Sequence, residues 1–128
     1  MDWHDVALAL AGVVGSTGAV VHGILTQRLM VRPFRQMAAG QVPGTIRRIV
    51  PVVLHFSTFN WFVGGLALVV AALALEQEAR LALSLLVGSA YLFATLGNLW
   101  ATRGRHLGWM LYGVCLILIA IGLGGAGG

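Results

Sequence analysis

The sequence contains no lysine and few charged residues of either sign. Charged residues make up 9% of the 128 residues and hydrophobic residues 59%, whereas a soluble domain is about a quarter charged. Disordered chains combine few apolar residues with many charges, so disorder is excluded. An ordinary soluble domain is also excluded, because so few polar groups would leave its core uncovered. The composition therefore predicts a polytopic membrane protein.

Cysteine and acidic residues are also scarce, and their positions exclude several kinds of chemistry. Cys115 is the single cysteine and lies in an apolar run, so we predict a small buried hydrophobic residue and exclude an intramolecular disulfide or a CxxC site. No carboxylate for coupling transport to protons lies inside an apolar run, since the acidic residues sit at or beyond the run ends: Asp2, Asp5, Glu76 and Glu78. No HExxH motif, phosphate-binding loop or nucleophile elbow occurs, so nothing in the sequence supports an enzyme.

Four apolar runs are typical of membrane-crossing helices. They cover residues 6–27, 49–75, 81–101 and 107–123. In lipid each run must satisfy its own backbone hydrogen bonds, which requires a helix, and short connections make successive helices antiparallel neighbours. We therefore predict one all-α domain over residues 1–128, a polytopic antiparallel four-helix transmembrane bundle. The glycine-rich residues 124–128 are predicted to form a flexible tail.

The arginines are distributed asymmetrically between the two predicted ends of this bundle. Seven of the eight lie on one side, within residues 28–48 and 102–106, and only Arg80 lies on the other. The positive-inside rule places the basic side in the cytoplasm. We predict a multi-pass inner-membrane protein with both termini on the periplasmic or exterior side. The basic character thus indicates topology, and no nucleic-acid partner is expected.

The basic segment between the first two runs has two interpretations. We predict a polar loop over residues 28–48, in which residues 31–41 mix apolar and basic side chains. These residues lie either in the membrane interface, bound to anionic lipid headgroups, or in a solvated loop that sets the topology. The candidate headgroup ligands are Arg28, Arg32, Arg35, Arg47 and Arg48.

Small residues recur at helical spacing, which lets membrane helices approach closely. The first run carries two adjacent rows: Ala11, Gly15, Gly18 and His22, then Gly12, Ser16, Ala19 and Gly23. The later runs carry three more: Asn60, Gly64, Ala67, Ala71 and Ala74; Ser84, Gly88, Tyr91, Thr95, Asn98 and Thr102; and Gly108, Tyr112, Cys115 and Gly122. We predict that these rows face other helices, and that they leave surface for a homo-oligomer or a partner membrane subunit.

The polar residues inside the runs are candidates for a functional site, because they gather toward the basic side. His22 and His55 lie at similar depth on neighbouring helices and could face each other; Asn60, Tyr91 and Asn98 join them as candidate ligand-binding residues. Intramembrane ionisable residues are costly and are therefore functional hypotheses. Three hypotheses stay open: His22 and His55 ligate a metal or haem, the polar residues line a pocket for a small molecule, lipid, quinone or transported solute, or the histidines hold the bundle together.

These observations favour a non-enzymatic accessory or oligomeric membrane subunit in the lipid bilayer. Its His/Asn cluster would specify assembly or bind a small ligand or lipid. The alternatives are an electron-transfer subunit that binds haem or a metal through His22 and His55, and a small oligomeric transporter.

Overall fold

The computed structural model describes residues 1–124, and this part of the chain forms four helices and no strand. Helix α1 covers Trp3–Met37, α2 covers Gly44–Ala74, α3 covers Gln77–Thr102 and α4 covers Gly108–Leu123. The first three are long and apolar enough to cross a membrane, and α4 is a shorter apolar helix of 16 residues. The predicted all-α class is confirmed. Residues 125–128 of the predicted tail lie outside the described residues.

The first helix is longer than predicted, because it continues through most of the basic segment. We expected a loop over residues 28–48, whereas α1 ends at Met37 and the connection covers only residues 38–43. Residues Gln27–Val31 form a π-helical turn, in which the N–H of Arg32 bonds the carbonyl of Gln27. Proline lacks an N–H and its ring clashes with the carbonyl four residues earlier in a regular helix. The wider π turn directly before Pro33 makes room for that ring.

The small-residue face of α1 packs against the other helices, as the sequence predicts. Ala11 and Ala19 are fully buried, and the glycines between them are buried as well. A Cβ added at Gly12 would lie 2.7 Å from Val69 on α2, and one added at Gly18 would lie 2.6 Å from Leu111 on α4. The predicted protein-facing surface of the first helix is therefore confirmed, and glycine is required there for close approach.

Contacts along the helices show which ends meet. Residues later in α1 meet residues earlier in α2, since Gly12 faces Gly65, Gly23 faces Thr58 and Gln27 hydrogen-bonds His55. At the opposite end, Asp5 of α1 forms a salt bridge with Arg80 of α3, and the Nδ1 atom of His4 lies 2.8 Å from the carbonyl oxygen of Ile121 on α4. We name the first of these the arginine end; it contains the π turn, the start of α2 and the α3–α4 loop. The other is the Asp5 end.

The core between the helices is built on three aromatic rings. Tyr91 and Tyr112 are almost fully buried, with ring centroids 4.9 Å apart, and Trp61 lies 4.7 Å from Tyr112. The hydroxyl of Tyr91 donates to the carbonyl oxygen of Trp61 at 3.1 Å. Cys115 is also fully buried, which confirms its predicted role as a small hydrophobic residue. The outer faces carry large apolar side chains, such as Phe93 with 79% of its surface exposed.

Candidate functional site

A groove between α1 and α4 opens on the surface of the bundle near the arginine end. Its cavity volume is about 640 Å³, which lies within the usual range for small-molecule sites. The apolar walls come mainly from α1 and α4: Val13, Val14, Val21, Leu25, Leu107 and Leu111. Most of the polar side chains gather at one end of the groove, namely His22, Asn98, Arg105 and His106, and Thr17 lies farther along the α1 wall. The groove therefore matches an amphipathic ligand, with apolar walls for an apolar chain and polar side chains for a polar head.

The sharp turn after α3 places two of these polar residues. Helix α3 gives way to two residues in left-handed conformation, Arg103 with φ 50° and Gly104 with φ 77°. The N–H of Gly104 bonds the carbonyl oxygen of Leu99 at 3.0 Å, which closes the end of the helix. Because the chain reverses within so few residues, Arg105 and His106 lie at the mouth of the groove rather than in a long solvated loop.

The polar end of the groove presents mainly hydrogen-bond donors. The N–H of Gly108 donates to Nδ1 of His106 at 3.0 Å, so the neutral ring carries its proton on Nε2 and can donate. The guanidinium of Arg105 has donors only. The amide nitrogen of Asn98 donates one hydrogen to the carbonyl oxygen of Ala94 at 2.8 Å and has a second one, while its Oδ1 lies on the side of Gly108 and adds one acceptor. A ligand head with oxygen acceptors suits this arrangement.

His22 lies between this groove and a second cleft. The second cleft has a volume of about 340 Å³, lies among α1, α2 and α3, and shares His22 and Asn98 with the groove. The Nε2 atom of His22 lies 3.2 Å from the hydroxyl of Thr26 and 3.4 Å from that of Ser57, and its ring packs on Trp61 with centroids 4.6 Å apart. Contacts with two helices therefore fix the orientation of the imidazole.

Tyr112 also lines the groove, and its hydroxyl is buried with no hydrogen-bond partner within residues 1–124. An unsatisfied buried hydroxyl costs about 1–3 kcal/mol, so native structures usually provide it with a partner. The hydroxyls of Thr58 and Ser84 are also buried without a partner, but neither residue lines the groove or the second cleft. Tyr112 thus lines the groove with its ring, while its hydroxyl points into the packed interior of the bundle.

The two histidines suggested as metal or haem ligands form separate hydrogen bonds. The Nε2 atom of His55 lies 3.0 Å from Oε1 of Gln27, whereas Nε2 of His22 faces Thr26 and Ser57. These bonds turn the two Nε2 atoms to different partners and not to each other. Within the described residues, no three His, Cys, Asp or Glu side chains are grouped to hold a metal ion. The hypothesis that His22 and His55 bind a metal or haem stays a prediction, since no further metal-ligating side chain joins them within the described residues.

The structure does not bring the remaining predicted residues to the groove. Tyr91 lies in the core, where Gly15 makes room for its hydroxyl. Asn60 is exposed on the outer face of α2. His22 and Asn98 are the candidates that do lie together, on the walls of both the groove and the second cleft.

Three of the five arginines suggested as headgroup ligands line one surface pocket. Arg35, at the end of α1, and Arg47 and Arg48, near the start of α2, surround a volume of about 330 Å³ beside Gly44. The four acidic residues, at positions 2, 5, 76 and 78, are all described by the structure, and none of them lines this pocket. Arg28 and Arg32 are exposed on α1 outside it.

Arg105, His106 and Tyr112 belong to the groove, although the sequence pattern does not single them out as a site. The basic loop over residues 102–106 has the composition of a topology signal, and Tyr112 lies in an ordinary apolar run. Only the packing of α4 against α1 reveals their common location. The one available signal is the shortness of the loop, which forces its side chains to stay close to the helix ends.

No protein-family model matches the chain, and no curated protein or solved structure is found to be similar to it. The function therefore has to be argued from the geometry of the groove, the second cleft and the arginine pocket.

Proposed function

We propose that this chain is an integral membrane protein that holds one amphipathic, lipid-like ligand in the groove between α1 and α4. The observation that carries the proposal is the groove itself, which is apolar along its walls and rich in hydrogen-bond donors at one end. Its role is that of a non-enzymatic binding or accessory subunit.

The outer faces of the bundle support insertion into a membrane. Large apolar patches are rare on soluble monomers, yet Leu86, Phe93 and Ile117 are each more than 60% exposed on the outside. Trp3 and Trp100 are 63% and 85% exposed near opposite ends, as expected of interfacial aromatic residues. The opposite order of the contacts between α1 and α2 supports an antiparallel transmembrane bundle.

Helix α4 is short for a membrane span, but its neighbours support a crossing. Its 16 residues extend about 24 Å, against about 30 Å for the hydrocarbon core. It nevertheless reaches both ends of the bundle, since Gly108 lies beside His106 at the arginine end and Ile121 contacts His4 at the Asp5 end. We therefore propose four spans, the fourth of which packs against α1 and α3.

The orientation follows from the arginines. We propose that the arginine end lies in the cytoplasm of an inner-membrane protein, with both termini on the periplasmic or exterior side. The pocket of Arg35, Arg47 and Arg48 then lies at the level of the lipid phosphates, where guanidinium groups bind anionic headgroups by charge-assisted hydrogen bonds. The polar end of the groove lies on the same side of the membrane.

The chemistry of the groove limits the ligand to a class. Its apolar walls suit an acyl or isoprenoid chain, and the donors of Asn98, Arg105 and His106 suit a phosphate, a carboxylate or a quinone carbonyl. The shared requirement is a hydrophobic chain attached to an oxygen-bearing head. Identification of the retained molecule distinguishes an anionic lipid, which supports a lipid-binding accessory role, from a quinone, which supports a role in electron transfer.

The test compares two tryptophan substitutions on neighbouring residues of α1. Val21 and Val20 are similarly exposed, at 52% and 49%, but only Val21 lines the groove. The full chain is purified from its native membrane in mild detergent, and bound molecules are quantified by mass spectrometry. We expect the unsubstituted protein and Val20→Trp to retain about one ligand per chain, and Val21→Trp to retain at least about tenfold less, since a tenfold change corresponds to only 1.4 kcal/mol. Equal retention by the two variants would contradict the proposal.

A further inference from the structure

One outward face of α2 carries a heptad pattern along the whole helix. Its members alternate at spacings of three and four residues: Ile46, Ile49, Val53, Phe56, Asn60, Val63, Ala67, Val70 and Ala74. All of them are exposed except Ala67, which is partly buried against the core, and Val53 also lines the edge of the second cleft. The row lies on the side of α2 opposite Gly65, which contacts α1. This spacing is that of the contact line in a two-helix coiled coil. We name this row of residues the α2 seam.

Asn60 is the one polar member of the α2 seam and lies near the middle of the helix. Its side chain forms no hydrogen bond within residues 1–124. Several polar side chains inside the helices do find a partner: Ser16 bonds the carbonyl of Phe62, Thr95 that of Tyr91 and Asn98 that of Ala94. The hydroxyls of Thr58 and Ser84 lack one, but they are buried inside the bundle, whereas Asn60 lies on its outer face. If α2 crosses the membrane, the Asn60 amide lies in the hydrocarbon core, where an amide without a hydrogen-bond partner is costly. The position therefore requires a partner from outside the chain.

We propose that the chain forms a parallel two-fold homodimer through the α2 seam, in which the two Asn60 amides hydrogen-bond each other. A primary amide carries both donors and an acceptor, so it is complementary to itself across a two-fold axis. Copies in one membrane share one orientation, so the axis lies along the membrane normal and the two α2 helices run parallel. In a parallel pair equivalent seam positions face each other, and a single asparagine fixes the register and the number of helices.

The charges on α2 are compatible with this dimer. Arg47 and Arg48 lie between seam positions Ile46 and Ile49 and project to the sides of the contact line. They line the arginine pocket with Arg35, so they are directed away from a second copy of the seam. The remainder of the seam is uncharged, and two copies therefore approach without like-charge repulsion along their contact.

The test uses paired cysteine reporters in the full chain, reconstituted into vesicles of phosphatidylethanolamine and phosphatidylglycerol. Val70→Cys places the reporter on the α2 seam, and Leu73→Cys places it off the seam at a similar depth; these positions are 52% and 64% exposed. Cys115 is fully buried, so we expect it not to react. The unsubstituted protein, treated in the same way, is the control and should stay monomeric on the gel. A disulfide requires the two Cα atoms to lie within about 7 Å. We expect copper phenanthroline to cross-link Val70→Cys into a dimer and to leave Leu73→Cys monomeric.

The amide is tested by energy transfer between labelled copies as the protein is diluted with lipid. We expect Asn60→Leu to weaken the association constant about 3- to 30-fold, the usual range for one polar contact between membrane helices, and Asn60→Gln to restore most of it. Because residue 60 is exposed, both variants are expected to fold, which circular dichroism checks. Equal cross-linking on and off the seam, an unchanged constant in Asn60→Leu, or a monomer at all protein densities would each overturn the proposal.

The inference rests on the proposed insertion into a membrane but not on the ligand in the groove. The two failures can therefore be told apart. Retained ligand in Asn60→Leu with no dimer in any variant would overturn the dimer alone. Cross-linking of Val70→Cys with equal ligand retention by Val21→Trp and Val20→Trp would overturn the groove alone. Release of the protein from membranes by alkaline carbonate would overturn both.

Discussion

A close backbone approach between α1 and α2 at Gly65 predicts a large cost for one added methyl group. A Cβ added at Gly65 would lie 2.6 Å from the carbonyl oxygen of Gly12 and 2.7 Å from the amide nitrogen of Ser16. Both neighbours are backbone atoms of a helix, so neither can rotate away. The Gly65→Ala variant must therefore separate the two helices along the part of their interface where the predicted small-residue rows meet.

The magnitude can be worked out against a matched control. Gly88 on α3 has open space around the position of its missing Cβ. Alanine is favoured over glycine in a helix by about 1 kcal/mol, and this gain is common to both variants and cancels in their difference. Overpacking costs about 1–3 kcal/mol, and loss of the 3.1 Å bond from Ser16 to the carbonyl of Phe62 adds about 0.6–1.7 kcal/mol. Gly65→Ala should thus be less stable than Gly88→Ala by about 2–5 kcal/mol.

The assay is equilibrium unfolding in mixed micelles of dodecyl maltoside and dodecyl sulfate. Near-ultraviolet circular dichroism follows the core, since Trp61, Tyr91 and Tyr112 pack against one another there. The free energy of unfolding is obtained for both variants from the same titration. A difference below about 0.5 kcal/mol, the usual effect of a surface substitution, would refute the close approach of the two backbones at this point.

Two further predictions concern the ends of the bundle. Arg105→Gln should lower ligand retention about 10- to 150-fold, because hydrogen bonds to a charged group contribute about 1.5–3 kcal/mol. Arg103→Gln, in the same loop but outside the groove, should leave retention unchanged, and equal losses would contradict the assignment. Asp5→Asn and Arg80→Gln should each lower the midpoint of thermal unfolding, and the double variant should lose less than the sum of the two, because both remove the same salt bridge. Strict additivity in that cycle would contradict the pairing.

The helical class was predictable because composition and run length are local properties of the sequence. The buried face of α1 was predictable for the same reason, since its small residues recur at helical spacing and have no other use in an apolar helix. The end of α1 was not predictable in this way. Pro33 and three nearby arginines have the composition of a loop, and a π turn is set by the geometry of the whole helix rather than by any single residue.

The candidate site was predictable only in part, because it depends on which helices become neighbours. His22 and Asn98 follow from their depth and polarity, whereas Arg105 and Tyr112 join them through the packing of α4 on α1. The predicted grouping of Asn60 with His22 and Asn98 is wrong for a related reason. It shares a small-residue row with Gly64, but α2 turns Gly65 toward α1 and Gly64 toward Val87 of α3, which leaves Asn60 outside.

Three polar groups that the proposals depend on lie in three separate environments. The donors of Arg105 belong to an apolar groove, the guanidinium of Arg47 belongs to a pocket without carboxylates, and the amide of Asn60 belongs to an apolar seam. On the seam, an apolar residue would be more stable than the Asn60 amide unless the amide binds something from outside. Arg47 and Arg105 are exposed and are available to pair with an anion. Each environment suits a different partner, namely a ligand head, a lipid phosphate and a second copy of the chain. Because the three lie on different surfaces, a substitution such as Arg47→Gln should lower the amount of anionic lipid that copurifies with the protein while leaving both the groove ligand and the dimer in place.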